Sequence, residues 1–124
     1  FDVEIAATYP SKFGDTAVNL KAAAAGEHEE WADLYPAFAK VAEEEGFDVV
    51  AGLFKNVALA EVNHEKRYLR LLEQVKNGTL YKRPAPIQWK CTKCGRIHEG
   101  TEAPKMCPTC AHPQGWYAPI EAEF

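Results

Sequence analysis

The chain is poor in methionine, in long apolar runs and in positive charge, and it has no cysteine before position 91. No apolar stretch approaches the roughly 20 residues of a membrane-crossing helix, so a membrane span is excluded. The first residues show neither the basic region nor the apolar core of a secretory signal, and the expected setting is cytoplasmic. Lys and Arg total 14 against 18 Asp and Glu, for a net charge of −4 and a pI near 5.6. The deficit lies in residues 1–80, with 8 basic against 14 acidic side chains, while residues 81–124 carry 6 against 4. An acidic main body argues against nucleic acid as a partner, because phosphate binding needs concentrated positive charge. Even the first residue is Phe1 rather than Met, which leads to the expectation of a processed chain or a piece of a longer one.

What is present is a 124-residue chain, 47% apolar and 26% charged, the balance of a globular protein. Residues 1–14 read as a lead-in in which Val3 and Ile5 suit a short extended piece. Residues 15–45 read as one helix, capped by Asp15 or Thr16 and ended by Gly46. Pro36 lies within it as a source of a kink. Residues 48–76 read as a second helix that Asp48 can cap and Asn77-Gly78 closes, so residues 15–80 form an antiparallel helical hairpin. Residues 81–88, with Pro84 and Pro86, read as a linker. Residues 89–124 show no helical period and read as a loop-rich module organised by a metal. There is no internal repeat, and no low-complexity tract beyond the alanine run at 22–25.

The helix seams carry the chemistry. Leu20, Ala24, Glu27, Trp31, Leu34, Phe38 and Val41 recur at alternating fours and threes, the spacing of a bundle core. Val50, Phe54, Val57, Glu61, His64, Tyr68, Leu71 and Val75 do the same in the second helix. A carboxylate on a core seam costs several kcal/mol unless it is paired or bound to a cation. Glu27 and Glu30 stand about 17 residues before the turn and Glu61 and His64 about 15 after it, a height mismatch of about 3 Å at 1.5 Å per residue. Glu27-x-x-Glu30 and Glu61-x-x-His64 each place two ligands on one helix face, the arrangement used by di-iron and di-manganese carboxylate bundles. His28, Glu29 and Glu65 read as solvent-facing or paired at the surface, as do the charges at 43–45. Four ligands on two helices do not close a dinuclear site, so a second hairpin must complete the bundle, either a copy of this chain or a segment outside it.

All four cysteines fall into two knuckles, Cys91-x-x-Cys94 and Cys107-x-x-Cys110. Paired knuckles without export point to one tetrahedral metal site rather than disulfides. Spacing alone leaves zinc and iron open, zinc being the commoner occupant. His98 and His112 are surplus to a four-thiolate site. Trp89, Trp116 and Tyr117 read as the small core of the ribbon.

Together these segments resemble the rubrerythrin family, non-haem iron proteins of anaerobes and microaerophiles that reduce peroxide. The resemblance rests on residues 25–31 and 34–36, on 61–68, and on the knuckle text at 89–95 and 107–110. It implies a mainly α protein, with two of the four helices of a ferritin-like bundle followed by a small rubredoxin-like ribbon. It implies iron in both sites. Cys91, Cys94, Cys107 and Cys110 would hold a single iron. Glu27, Glu30, Glu61 and His64 would be di-iron ligands, Glu61 bridging and Glu30 exchanged for a histidine on change of redox state. Tyr35, on plain reading an aromatic at the bundle boundary, would hydrogen-bond near that site. The family's earlier helix pair, with a further Glu and a Glu-x-x-His, is not in this sequence, and residues 1–14 look like the segment that follows it. The exchanged histidine is therefore not in this sequence either.

The implied activity is reduction of hydrogen peroxide to water in oxidative stress protection. Electrons would pass through the four-cysteine iron from rubredoxin or an NAD(P)H-dependent reductase. The implied partners are the missing helix pair and a second copy in a homo-oligomer, a dimer, in which an electropositive ribbon can serve the acidic bundle of another chain. Two other readings are a ferroxidase or iron-storage bundle and a non-catalytic zinc-ribbon interaction module.

Overall fold

The computed structural model describes residues 11–120, and the expected extended piece at Val3 and Ile5 lies outside them. The chain divides into two compact units, one ending at Leu72 and the other starting at Glu73. Among the described residues no helix is long and apolar enough to cross a membrane.

The first unit is a helical hairpin. Helix α1 spans Thr16–Glu29, and the Asp15 side chain caps it by accepting from the Val18 N–H. The expected single helix over 15–45 is interrupted. Glu30–Leu34 is a π-helical segment, and α2 follows over Tyr35–Glu44. Pro36 explains the break. It has no N–H to donate and its ring crowds the carbonyl four residues back, so the chain widens ahead of it and Tyr35 N–H bonds to the Glu30 carbonyl instead. In the first turn of α2 the missing N–H of Pro36 costs nothing. The wide turn inserts one residue into the seam. Before it, Leu20, Ala24 and Glu27 face inward as expected. After it the buried residues are Ala39 and Ala42, one position beyond the expected Phe38 and Val41.

Gly46, at φ +80°, ends α2. The Phe47 N–H reaches the Ala42 carbonyl at 2.7 Å and the Gly46 N–H reaches Glu43 at 3.1 Å. This is the six-to-one and five-to-two pairing that closes a helix on a left-handed glycine. Helix α3 then runs over Asp48–Lys76, with Asp48 in its first turn. The hairpin is joined by Phe54, stacked on Tyr35 at 6.0 Å and packed on Phe38 at 5.5 Å, and by an ion pair between Lys55 and Glu43. The fully covered positions are mostly small: Ala24, Ala39, Ala42 and Ala51, with Leu72 and Glu61. Phe38, Val41, Val50 and Leu53 are each more than 40% exposed. An apolar groove of about 420 Å³ runs between Phe38, Val41, Phe47, Val50 and Phe54.

The second unit is a three-stranded antiparallel sheet in the order β2-β1-β3. Strand β1 is Lys82–Cys91, β2 is Ile97–Glu102, and β3, Tyr117–Pro119, follows a 3-10 turn at Gln114–Trp116. The expected linker at 81–88 is therefore a strand. Its prolines do not prevent this, because Pro84 and Pro86 fall where the β1–β2 register jumps between Lys82 and Ile87, so no ladder bond needs their N–H. The core is Trp89, Cys91, Ala103, Cys107 and Tyr117. Trp116, expected in that core, is 41% exposed. It sits at the surface against the edge of His112, with the Lys93 ammonium 5.8 Å above its ring.

Candidate metal centres

Two groups of side chains converge among the described residues, one in each unit. In the ribbon, the two knuckles share one backbone pattern. Cys91 N–H donates to the Arg96 carbonyl at 2.8 Å, and Gly95 N–H returns to Cys91 at 2.8 Å. Cys107 N–H donates to His112 at 2.8 Å, and Ala111 N–H returns to Cys107 at 2.8 Å. The residue after the second cysteine takes a positive φ in both, Gly95 at 80° and Ala111 at 55°. The two loops thus meet as near copies and bring four sulfurs together within 4.8 Å of one another.

The separations suit a metal. Sulfurs about 2.3 Å from a central ion define a tetrahedron with edges of about 3.8 Å. Cys91 Sγ to Cys110 Sγ is 3.8 Å, and Cys94 Sγ to Cys107 Sγ is 3.7 Å. A disulfide needs about 2.05 Å, and all four cysteines are free. The acid–base balance agrees. The Tyr117 hydroxyl, opposed by burial and helped by the Cys110 and Thr109 amides, draws the Cys107 thiol down to about 6. Cys110 goes the other way. The His112 amide favours its thiolate most, but burial and the sulfurs of Cys94, Cys107 and Cys91 outweigh that and push it up to about 12. Four thiolates at this spacing repel one another, and a central cation removes that conflict. Tyr117, buried and beside the Cys107 thiolate, is itself pushed up to about 12, chiefly by burial. Its hydroxyl has no partner of full hydrogen-bond geometry, so the neighbouring sulfur is what it can serve.

In the helical unit, Glu27 from α1 and Glu61 and His64 from α3 each bring a ligand atom within 4.8 Å of the others. His64 Nδ1 lies 2.5 Å from Glu61 Oε2 and 3.5 Å from Glu27 Oε2. Glu61 is buried, its whole residue only 8% exposed. Glu27 is held above the ordinary carboxylate range, first by burial, then by the adjacent Glu61 carboxylate, with His64 pulling weakly the other way. Two largely buried carboxylates facing one imidazole are short of positive charge, the deficit a divalent cation fills. The donors suit iron, zinc or manganese by type.

Glu30 and Tyr35 stand apart from that cluster. Glu30 opens the π segment, and its Oε2 accepts from the Tyr35 hydroxyl at 3.2 Å. Tyr35 is pushed up by burial and by the Glu30 charge. The seam count did not single out the contact of Trp31 Nε1–H with Glu65 Oε2 at 2.7 Å, or of His28 Nδ1 with Glu65 Oε1 at 3.1 Å. The adjacency of Glu65 to His64, and of His28 and Trp31 to Glu27 and Glu30, was the available signal. His98 and His112 lie outside both groups.

Comparison with known proteins follows the same division. The family model described as rubrerythrin matches residues 2–72, and that of the rubrerythrin rubredoxin-like domain matches residues 89–117. The chain is 50% identical to a rubrerythrin of Porphyromonas gingivalis over 98% of its own length and 62% of that protein's. It is 53% identical to rubrerythrin-1 of Clostridium acetobutylicum, covering 95% and 60%, and 45% identical to a rubrerythrin of Nitratidesulfovibrio vulgaris, covering 94% and 61%. Among solved structures, partially reduced nigerythrin matches with a TM-score of 0.50 and 33% identity over 91% of this chain and 53% of that one. The chain spans about three fifths of the length of these relatives.

Proposed function

The chain belongs to the rubrerythrin family, its helices those of a ferritin-like bundle and its ribbon rubredoxin-like, and from this premise we propose that it is part of a non-haem di-iron peroxidase. The observation that carries the reading is the pairing, on one chain, of a carboxylate–imidazole group with a four-thiolate group of tetrahedral spacing. Bound iron would supply at the first group the two electrons that, with two protons, convert hydrogen peroxide to two waters, and at the second a one-electron store to replace them.

The residues divide that work. Glu27, Glu30, Glu61 and His64 would be the metal ligands of this chain. Glu61, buried between the helices, is the carboxylate suited to bridge. Tyr35 holds Glu30 by its hydroxyl, so that this carboxylate can leave one partner for another without being stranded. Cys91, Cys94, Cys107 and Cys110 would hold the single iron of the ribbon, their thiolates supported by the knuckle amides. The exposed Cys94 edge faces whatever delivers electrons, rubredoxin or an NAD(P)H-dependent reductase. A second helical hairpin would complete the ligand set and cover Phe38, Val41 and Val50. A homo-oligomer, a dimer, and a cytoplasmic setting complete the reading, together with a role in oxidative stress protection.

Metal analysis combined with intact mass of the purified assembly is the first test. The expected result is iron beyond one per chain, with the red colour of ferric thiolate. Zinc in the ribbon and no other metal would overturn the reading. Faster oxidation by dioxygen than by peroxide would replace the peroxidase with a ferroxidase. Peroxide turnover that survives loss of the cysteine-bound iron, with the physiological donor, would remove the relay.

A further inference from the structure

Beside the carboxylate cluster, on the same helices, lies a set of contacts that the proposed chemistry does not use. One carboxylate, Glu65 of α3, is engaged at both oxygens by donors from across the hairpin. Trp31 Nε1–H reaches Oε2 at 2.7 Å and His28 Nδ1 lies 3.1 Å from Oε1. The rings of His28 and Trp31 meet edge to face at 4.7 Å, so each donor braces the other. The Glu65 side chain is only 19% exposed, against 54% for His28. An exposed ion pair contributes little. A half-buried indole-to-carboxylate bond is directional and charge-assisted, and it is the stronger member of the pair.

The register gives these contacts a purpose. Glu65 follows His64 and stands one turn beyond Glu61. His28 follows Glu27, and Trp31 follows Glu30. Trp31 also lies inside the π segment, the one stretch of the first two helices with a widened backbone ladder. A segment of that kind has an α-helical alternative, and a one-residue change of register turns each side chain by about 100°. Such a turn would rotate the chain beyond the widened bond relative to α1, and the Trp31–Glu65 contact sits at the point where that rotation begins.

We propose that Trp31, Glu65 and His28 form a positioning clamp that ties the end of α1 and the start of the π segment to α3, and so holds Glu30, with Glu27 one turn before it, toward the face of Glu61 and His64. The inference rests on the reading of those four as metal ligands. None of the three clamp residues is among the proposed ligands, so they act through the ligands.

The test compares Trp31→Phe, Glu65→Ala and Glu65→Gln in the iron-loaded protein, each challenged with ferrozine. Iron outside the cysteine site is counted separately from thiolate-bound iron, whose visible absorption serves as the internal control. Trp31→Phe and Glu65→Ala should lower the ferrozine concentration that strips half of the non-thiolate iron by about tenfold, the scale of one charge-assisted hydrogen bond. Glu65→Gln keeps a neutral acceptor for the indole but loses the charge assistance, and should fall between those variants and the unsubstituted protein, about threefold below the latter. A merely structural role would lower helix content or the thermal midpoint and leave iron retention in the folded fraction unchanged. Unchanged ferrozine resistance in both Trp31→Phe and Glu65→Ala overturns the clamp. Trp31→Phe decides alone where Glu65→Ala does not fold. Loss of retained iron in Trp31→Phe, in a protein without peroxide turnover, upholds the clamp and overturns the peroxidase. Absence of non-thiolate iron from the unsubstituted protein overturns both.

Discussion

The two knuckles of the ribbon differ at one telling position, and exchanging it gives a quantitative test. Gly95 and Ala111 occupy equivalent places, each donating its N–H to the first cysteine of its pair at 2.8 Å. Gly95 sits at φ 80° and Ala111 at φ 55°. A Cβ built on Gly95 meets no atom within 4 Å, so Gly95→Ala tests backbone strain alone. A left-handed conformation costs a non-glycine residue about 1–2 kcal/mol. The φ at Gly95 lies beyond the centre of that well, which puts Ala near the upper figure. Alanine recovers about 0.4–1 kcal/mol by restricting the unfolded chain, leaving a net loss of about 1 kcal/mol. Ala111→Gly runs the same balance backwards, with a smaller net gain of about 0.5 kcal/mol because φ 55° is central to the left-handed well. Folding of so small a ribbon is coupled to its metal, so the assay is competition for the thiolate-bound metal by a chelator at fixed pH. Gly95→Ala should weaken retention by about fivefold, and Ala111→Gly should tighten it by about twofold. The reasoning fails if Gly95→Ala is neutral, or if Ala111→Gly weakens retention. Either result would mean that the side chain, not the backbone, governs the position after the second cysteine of the knuckle.

Four further outcomes are expected. Stripping metal from the ribbon should abolish its sheet while α-helical circular dichroism persists, because two of the five core residues, Cys91 and Cys107, are also proposed ligands. Tyr35→Phe keeps the stacking on Phe54 and loses only the hydroxyl on Glu30, so stability should fall by about 1 kcal/mol or less while peroxide turnover drops more. The raised folded-state pKa of Glu27 means that the metal-free helical unit binds this proton more tightly than the unfolded chain does. Its stability should therefore be highest below the ordinary Glu pKa and fall as pH climbs through the raised value. Glu27→Gln should raise its thermal midpoint at neutral pH while lowering metal uptake. Phe38→Ala should cost little in the isolated chain, where Phe38 is 45% exposed, and about 3 kcal/mol or more in an assembly whose second hairpin covers it; an equal cost in both would argue against that cover.

What could be read from the residues alone divides along a physical line. Signals fixed by local chemistry carried through. Asp15, Gly46 and Gly78 each mark a helix end because capping and left-handed closure depend on a few neighbouring atoms. The convergence of Glu27, Glu61 and His64 was legible because α3 is regular from end to end and α1 is regular up to Glu29. The readings that failed depended on an assumed period or on distant pairing. Pro84 and Pro86 suggest a linker, since nothing local reveals that β1 carries surplus residues there, between the Lys82 and Ile87 pairings with β2. Hydrophobicity alone puts Trp116 inside, yet the core is filled by Trp89 and Tyr117, and its ring lies at the surface against His112 and Lys93. The largest error began at one residue. A seam counted at 3.6 per turn puts Phe38 and Val41 inward, but the π turn ahead of Pro36 advances the chain by one position and buries Ala39 and Ala42. Glu30 and Trp31 precede the widened bond, and their contacts with Tyr35 and Glu65 are made at its start. Proline at 36 is legible as a disturbance, but the form it takes is a backbone choice, the Tyr35 N–H bonding five residues back to Glu30 rather than four, and no side-chain period records which of the two a helix makes.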